Sequence, residues 1–127
     1  MTDLPGRGVR PAPAGVPGLT ACSLCAGETF GEPEAQRARL EALATAGVAR
    51  LTFVECLDEC ERGDVVVARP TPACRARGAA PVWFERLAGE GPTAQLGDWM
   101  RAGGPGAAPV PRVLAPLVLR TSTDPGE

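Results

Sequence analysis

VARLTFVECLDECERGDVVVAR occupies residues 48–69. Leu51 and Phe53 fall on one side of an extended chain, Val48 and Val54 on the other. That alternation predicts a strand over 48–55 with both faces at least partly buried. The run DVVVAR, residues 64–69, is continuously apolar apart from its ends, as expected of a second strand. Between the two lies a tight polar loop carrying Cys56 and Cys60 in a C-x3-C spacing.

Upstream, residues 33–46 predict a helix. Pro33 suits the first helical position, Glu32 and Glu34 the positive end of the dipole, and Gly47 the stop. Ala35, Leu40, Leu43 and Ala44 make its expected apolar face, while Arg37 and Glu41 are spaced to pair on the wet side. A strand over 16–21 precedes it and runs into Cys22-Ser23-Leu24-Cys25. Downstream, residues 70–79 are expected as a loop containing Cys74. A strand over 81–84 and a helix over 92–101 follow, the helix packing through Leu96, Trp99 and Met100. Gly103-Gly104-Pro105-Gly106 ends it.

The expected fold is therefore α/β with an α+β mixed sheet, a single β-α-β-β-β-α domain over residues 16–102. A leader over 1–15 and a Gly/Pro-rich segment over 103–127, with one apolar patch at 113–119, are expected as loose termini. The first two strands, joined by a helix, are expected to lie parallel with a right-handed crossover. Cys22 and Cys56 then fall at the same edge of the sheet, where ligand sites of parallel strands gather.

Four of the five cysteines thus form C-x2-C and C-x3-C pairs separated by 30 residues. Two close pairs on converging loops can deliver four sulfurs to one centre, each needing to reach a metal at about 2.3 Å. Thiolates select zinc, copper(I) or an iron–sulfur cluster over magnesium or calcium. Cys22, Cys25, Cys56 and Cys60 are accordingly the candidate ligands. Backbone N–H groups near the helix start are expected to point at the first pair, and Gly27 and Gly63 to permit close backbone approach. Cys74, isolated beyond the 64–69 strand, is expected not to be a ligand. Trp83 and Trp99 are expected in the core.

The chain of 127 residues has no histidine, so histidine-containing zinc fingers, Rieske centres and histidine-ligated haem are excluded. Lysine, isoleucine, asparagine and tyrosine are absent too, and all 13 basic residues are arginine, the pattern of a high-GC coding sequence. Aromatic residues make up only 4% of the chain, so a metal centre would be a useful staple for a core poor in large side chains. A net charge of −2 gives no general attraction to nucleic acid, and no apolar run has the length of a membrane span. Arg7 and Arg10 are not followed by an apolar stretch, so no secretory signal is expected and the reducing cytoplasm is the expected compartment. Residues 22–64 carry nine acidic side chains against four arginines, a local charge of −5. Asp58, Glu59 and Glu61 lie among the second cysteine pair and are the candidate docking residues for a redox protein, a reductase or oxygenase, with a basic face.

The run VECLDECERGDVVVARP (54–70), with GAAPVWF (78–84) and LGDWMRAGGPG (96–106), resembles the thioredoxin-like [2Fe–2S] ferredoxins of high-GC bacteria over roughly residues 22–116. The same fold carries the cluster in the small flavoprotein-associated subunit of respiratory complex I. The resemblance implies a thioredoxin-like fold, one [2Fe–2S] cluster on Cys22, Cys25, Cys56 and Cys60, and one-electron transfer, in this family often by a homodimer. The complex I relatives space the first pair more widely, and close bacterial relatives carry extra cysteines where this chain has Ala26-Gly27-Glu28. Two other readings stand beside the electron carrier. One is a structural four-cysteine zinc site in an interaction module. The other is a thioredoxin-type dithiol oxidoreductase using Cys22 and Cys25, for which Cys56 and Cys60 are superfluous.

Overall fold

The computed structural model describes residues 16–23, 25–55 and 63–120. In chain order these form β1 (Gly18–Cys22), α1 (Pro33–Thr45), β2 (Arg50–Val54), β3 (Val66–Arg69), α2 (Pro72–Ala76), β4 (Val82–Phe84), α3 (Glu90–Arg101), a 3-10 turn (Ala115–Leu117) and β5 (Val118–Arg120). The five strands make one mixed sheet in the order β2-β1-β3-β4-β5. β1 and β2 are parallel, in register from Gly18↔Arg50 to Cys22↔Val54, as two strands joined by a helix should be. β3 runs antiparallel to β1, and β4 antiparallel to β3. A βαβ unit followed by a ββα unit, with β1 and β3 central, is the thioredoxin-like arrangement expected from the sequence.

α1 and α3 pack together on one face of the sheet. Leu19 and Ala21 of β1, Val66 and Ala68 of β3, and Val82 and Phe84 of β4 meet Leu40, Leu96, Trp99 and Met100 there. Each fully buried Leu or Phe of this set contributes about 1.5–3 kcal/mol. Phe84 and Trp99 meet edge to face, with ring centroids 5.9 Å apart. Gly97 allows the two helices to approach, because a Cβ there would lie 2.7 Å from Leu43 Cδ2.

The inward face of α1 differs from the expected one. Ala35 is exposed, and Gln36 is fully buried beside Leu40. Its side chain acts as a polar clamp. Nε2 donates to Thr93 Oγ1 at 3.0 Å and to the Leu87 carbonyl at 3.4 Å, while Oε1 accepts from the Gly89 N–H at 2.9 Å and from Arg39 at 2.9 Å. A helical-periodicity search for apolar positions has no reason to select a glutamine, yet with every polar atom bonded it is acceptable in a core.

Two further expectations are corrected. The 70–79 stretch is not all loop: Thr71 caps α2, its hydroxyl accepting from the Cys74 N–H at 3.1 Å with Pro72 at the first helical position. Residues 103–120 are not loose. Leu114 is fully buried, the Trp99 indole donates to the Ala108 carbonyl at 2.9 Å, and β5 adds to the sheet along β4. The apolar patch at 113–119 thus closes the far edge of the sheet. The expected domain end at residue 102 falls short of the packed structure, which runs on to the last described residue, 120.

Gln36→Ala strands the Gly89 N–H and the Thr93 hydroxyl in the core, and such a loss costs about 1–3 kcal/mol. The expected outcome is a lower urea midpoint with an unchanged denaturant slope; an unchanged midpoint would show the clamp to be idle.

Candidate metal centre

Cys22 closes β1. Its N–H donates to the Val65 carbonyl at 3.2 Å, and the next N–H, of Ser23, donates to the Val54 carbonyl at 2.7 Å, so the strand keeps both neighbours to its last residue. Side chains alternate along β1: Leu19 and Ala21 point to the helices, Cys22 to the opposite face. There Cys22 and Cys25, 1% and 0% exposed, form a second small cluster with Val65, and Trp83 packs against it. Trp99 lies in the main core as expected, whereas Trp83 covers the cysteines.

The turn after Cys25 is held from across the molecule by Asp64. This carboxylate is 3% exposed, accepting from the Gly27 N–H at 2.6 Å and the Thr29 N–H at 2.9 Å. The Asp64 N–H donates to the Cys25 carbonyl at 3.2 Å, and the Val65 N–H donates to Cys25 Sγ at 3.4 Å. Gly27 sits at φ +83°, and a Cβ there would lie 2.1 Å from Pro33 Cα, so no other residue fits. Gly63 and Asp64 follow one another in left-handed conformation, at φ +78° and +46°, and this reversal aims the carboxylate back at the turn. Arg37, expected on the wet side of α1, lies over the Phe53 ring at 4.9 Å and donates to the Ser23 carbonyl at 3.4 Å.

The expected helix-start donors are not what meets the sulfurs. α1 begins at Pro33, well beyond Cys25, and the intervening N–H groups of Gly27 and Thr29 belong to Asp64. The donor to sulfur is the N–H of Val65, the residue just before β3. Neither Asp64 nor Arg37 stands out in the sequence pattern: Asp64 reads as the polar start of the 64–69 strand and one of nine acidic side chains, and Arg37 as a solvent-facing helix position. The adjacent Gly63-Asp64 pair, a turn signal at the entry to an apolar strand, is the trace that was available.

Of the four candidate ligands, Cys22 and Cys25 are brought together as reduced thiols. Cys56 and Cys60, with the candidate docking residues Asp58, Glu59 and Glu61, lie outside the described residues. The ends of their segment are described. At one end the Cys22 thiol donates to the Glu55 carbonyl at 3.5 Å, and at the other Asp64 is bonded to Cys25. Among the described residues, no three Cys, Asp or Glu side chains gather as a metal site. Cys74, buried in α2, lies toward the opposite end of the sheet, since β3 runs from Val66 opposite Ala21 to Arg69 opposite Gly18 before reaching it. Its sulfur accepts from Arg77 at 3.3 Å.

Burial pushes the Cys25 thiol up to about 11, aided by the neighbouring Cys22 thiol and the Asp64 charge and opposed by the Val65 N–H. The metal-free protein therefore keeps Cys25 protonated at neutral pH. A metal cation reverses that balance, because it binds thiolate and expels the proton.

No protein-family model matches this chain, and no curated protein or solved structure does either. Among the described residues, no helix is long and apolar enough to cross a membrane.

Alkylation of Cys25 in the metal-free folded protein should stay slow through neutral pH and accelerate only as pH climbs toward about 11. Asp64→Ala removes two bonds to a carboxylate, a loss of about 3 kcal/mol, and its charge. It should raise the alkylation rate at pH 8 as well as lower the urea midpoint. A parent rate at pH 7 equal to that of the urea-unfolded chain would refute this picture of the turn.

Proposed function

We propose that this chain is a small electron carrier in which Cys22, Cys25, Cys56 and Cys60 hold one [2Fe–2S] cluster. The observation that carries the reading is the first cysteine pair. Two buried thiols adjoin at the end of β1, with the Val65 N–H aimed at one sulfur and both ends of the segment bearing Cys56 and Cys60 tied to the same two residues. The donor set fits such a group: soft sulfur ligands, an N–H donor to sulfur, and a water-excluding wall supplied by Val65 and Trp83. Such a cluster, when bound, takes up and returns one electron. The chain's own residues fix the ligands, exclude water from one side, and place the Arg37 guanidinium beside the turn.

The dithiol reading fits less well. Nucleophilic thiols of that class rely on a lowered pKa at a helix start. Here the helix starts well past Cys25, and burial raises that thiol. Zinc remains the metal to be distinguished, and the absorption spectrum of anaerobically purified protein distinguishes it. Visible bands with matching iron and sulfide are the expected result. Colourless protein loaded with zinc, or holding no metal, would overturn the cluster. Cys56→Ser and Cys60→Ser should each lose most of the colour, and Cys74→Ala none.

The acidic side chains Asp58, Glu59 and Glu61 beside the second ligand pair would steer a redox protein with a basic face toward the cluster. Electron exchange with such a partner should slow as salt screens the approach, and should slow at low salt when Asp58 and Glu59 are both replaced by Ser. A rate flat with ionic strength would place docking elsewhere.

A further inference from the structure

The face of the sheet opposite the helices carries a second feature, remote from the cysteines along β1. Arg50, Gly18 and Arg69 form one cross-strand row, Gly18 pairing with Arg50 on β2 and with Arg69 on β3. Directly paired residues project to the same face, so two guanidinium side chains rise on either side of a residue with no side chain. The next row along is Thr52, Thr20 and Val67. Together Gly18, Thr20, Arg50, Thr52, Val54 and Arg69 line most of a cleft of about 400 Å³. That is the size of a small-molecule site rather than of a surface dimple.

The chemistry of the lining is one-sided. Among the described residues it holds two arginines, two threonine hydroxyls and no carboxylate. Arg69 is already oriented, its Nε donating to Thr20 Oγ1 at 2.9 Å, which leaves its terminal nitrogens for another acceptor. The ion pairs formed among the described residues join Arg39 to Glu32, Arg86 to Glu85 and Arg101 to Asp98, so neither cleft arginine has a carboxylate partner there. Two strand spacings, about 10 Å between backbones, separate the arginines, a span that two long side chains close readily around one anion. Like charges facing each other across a strand repel, and an anion between them converts that repulsion into attraction.

We infer that this cleft is an anion site for a small phosphate-bearing molecule, its phosphoryl group seated over Gly18 between Arg50 and Arg69. The planar guanidinium forks match phosphate oxygens two at a time, and the threonine hydroxyls supply further donors. The cleft is larger than a phosphate group alone requires, and Val54, in register with Cys22 on the same face, gives the remainder an apolar wall suited to an attached organic part. The inference does not depend on the metal centre, since neither Cys22 nor Cys25 lines the cleft.

Titration calorimetry of the full chain at low salt, with inorganic phosphate and with adenosine monophosphate as probes and adenosine as the uncharged control, tests it. Single-site binding of millimolar strength or tighter is expected for at least one phosphate probe and none for adenosine. Equal affinity for both probes would mark a site for free phosphate, and tighter binding of the nucleotide one for a phosphorylated organic molecule; both support the inference. Arg50→Ala and Arg69→Ala should each weaken binding at least tenfold, and Arg75→Ala, an exposed arginine on α2, should not. Gly18→Ala is the sharper variant. Its added Cβ meets Arg69 carbons at 3.5 Å, ordinary contact that the fold tolerates, and it keeps both charges while filling the seat. It should weaken binding at least threefold with an unchanged urea midpoint. Absence of binding by either probe, equal loss in Arg75→Ala, or unaltered affinity in Gly18→Ala would overturn the inference.

Discussion

Asp64 accepts hydrogen bonds from Gly27 and Thr29 with a carboxylate that is almost wholly removed from water, and the cysteine end of the molecule depends on it. Within the turn between β1 and α1 the N–H groups of Glu28, Gly31 and Glu32 find carbonyls of the turn itself, but those of Gly27 and Thr29 do not. Without an acceptor they would be buried at a cost that a turn of this size cannot offset. Asp64 supplies that acceptor, and its own backbone bonds to Cys25. One residue therefore fixes the end of β1, the approach to α1 and the start of β3. The left-handed Gly63-Asp64 reversal costs some backbone strain, accepted because it is the geometry that turns the carboxylate inward.

The sheet separates two environments. On one face, helices α1 and α3 seal an apolar core in which the buried polar pair Gln36 and Thr93 bond to each other, Gln36 also to the Gly89 N–H. The other face is polarised along β1. At its C-terminal end lie buried thiols under Trp83, and at its N-terminal end lies an arginine-lined cleft. The alternation of β1 explains how one short strand serves both faces: Leu19 and Ala21 belong to the core, while Gly18, Thr20 and Cys22 belong to the open side. Positive charge at the cleft and the buried pair Cys22 and Cys25 are thereby kept at opposite ends of the same strand. Ligands of opposite character would be drawn to different ends of the molecule.

The buried thiol of Cys25 carries its own physical tension. Burial favours the neutral form, and the Val65 N–H favours the anion. A site with this balance is quiet toward electrophiles when empty and gains its charge only from a cation. That suits a ligand better than a nucleophile.

The amino-acid sequence by itself determined the alternation of strand and helix from residue 18 to residue 101, α2 excepted, the parallel pairing of β1 with β2, and the place of Cys22 at the end of β1 with Cys25 just beyond it. These follow from period-two and helical patterns, from Pro33 and Gly47 at the helix ends, and from the C-x2-C spacing, all of which act within a few residues along the chain. What tertiary structure decided lies between residues distant in sequence. Asp64 reaches Gly27 across 37 positions, Gln36 reaches Thr93 across 57, and Arg50 and Arg69 become neighbours only because Gly18 stands between them in the sheet. The same is true of residues 103–120, where frequent glycine and proline read as loose chain until Leu114 finds the core and β5 finds the edge of β4. Hydrogen-bond partners and strand register are set by which surfaces meet, and local composition carries no record of that meeting.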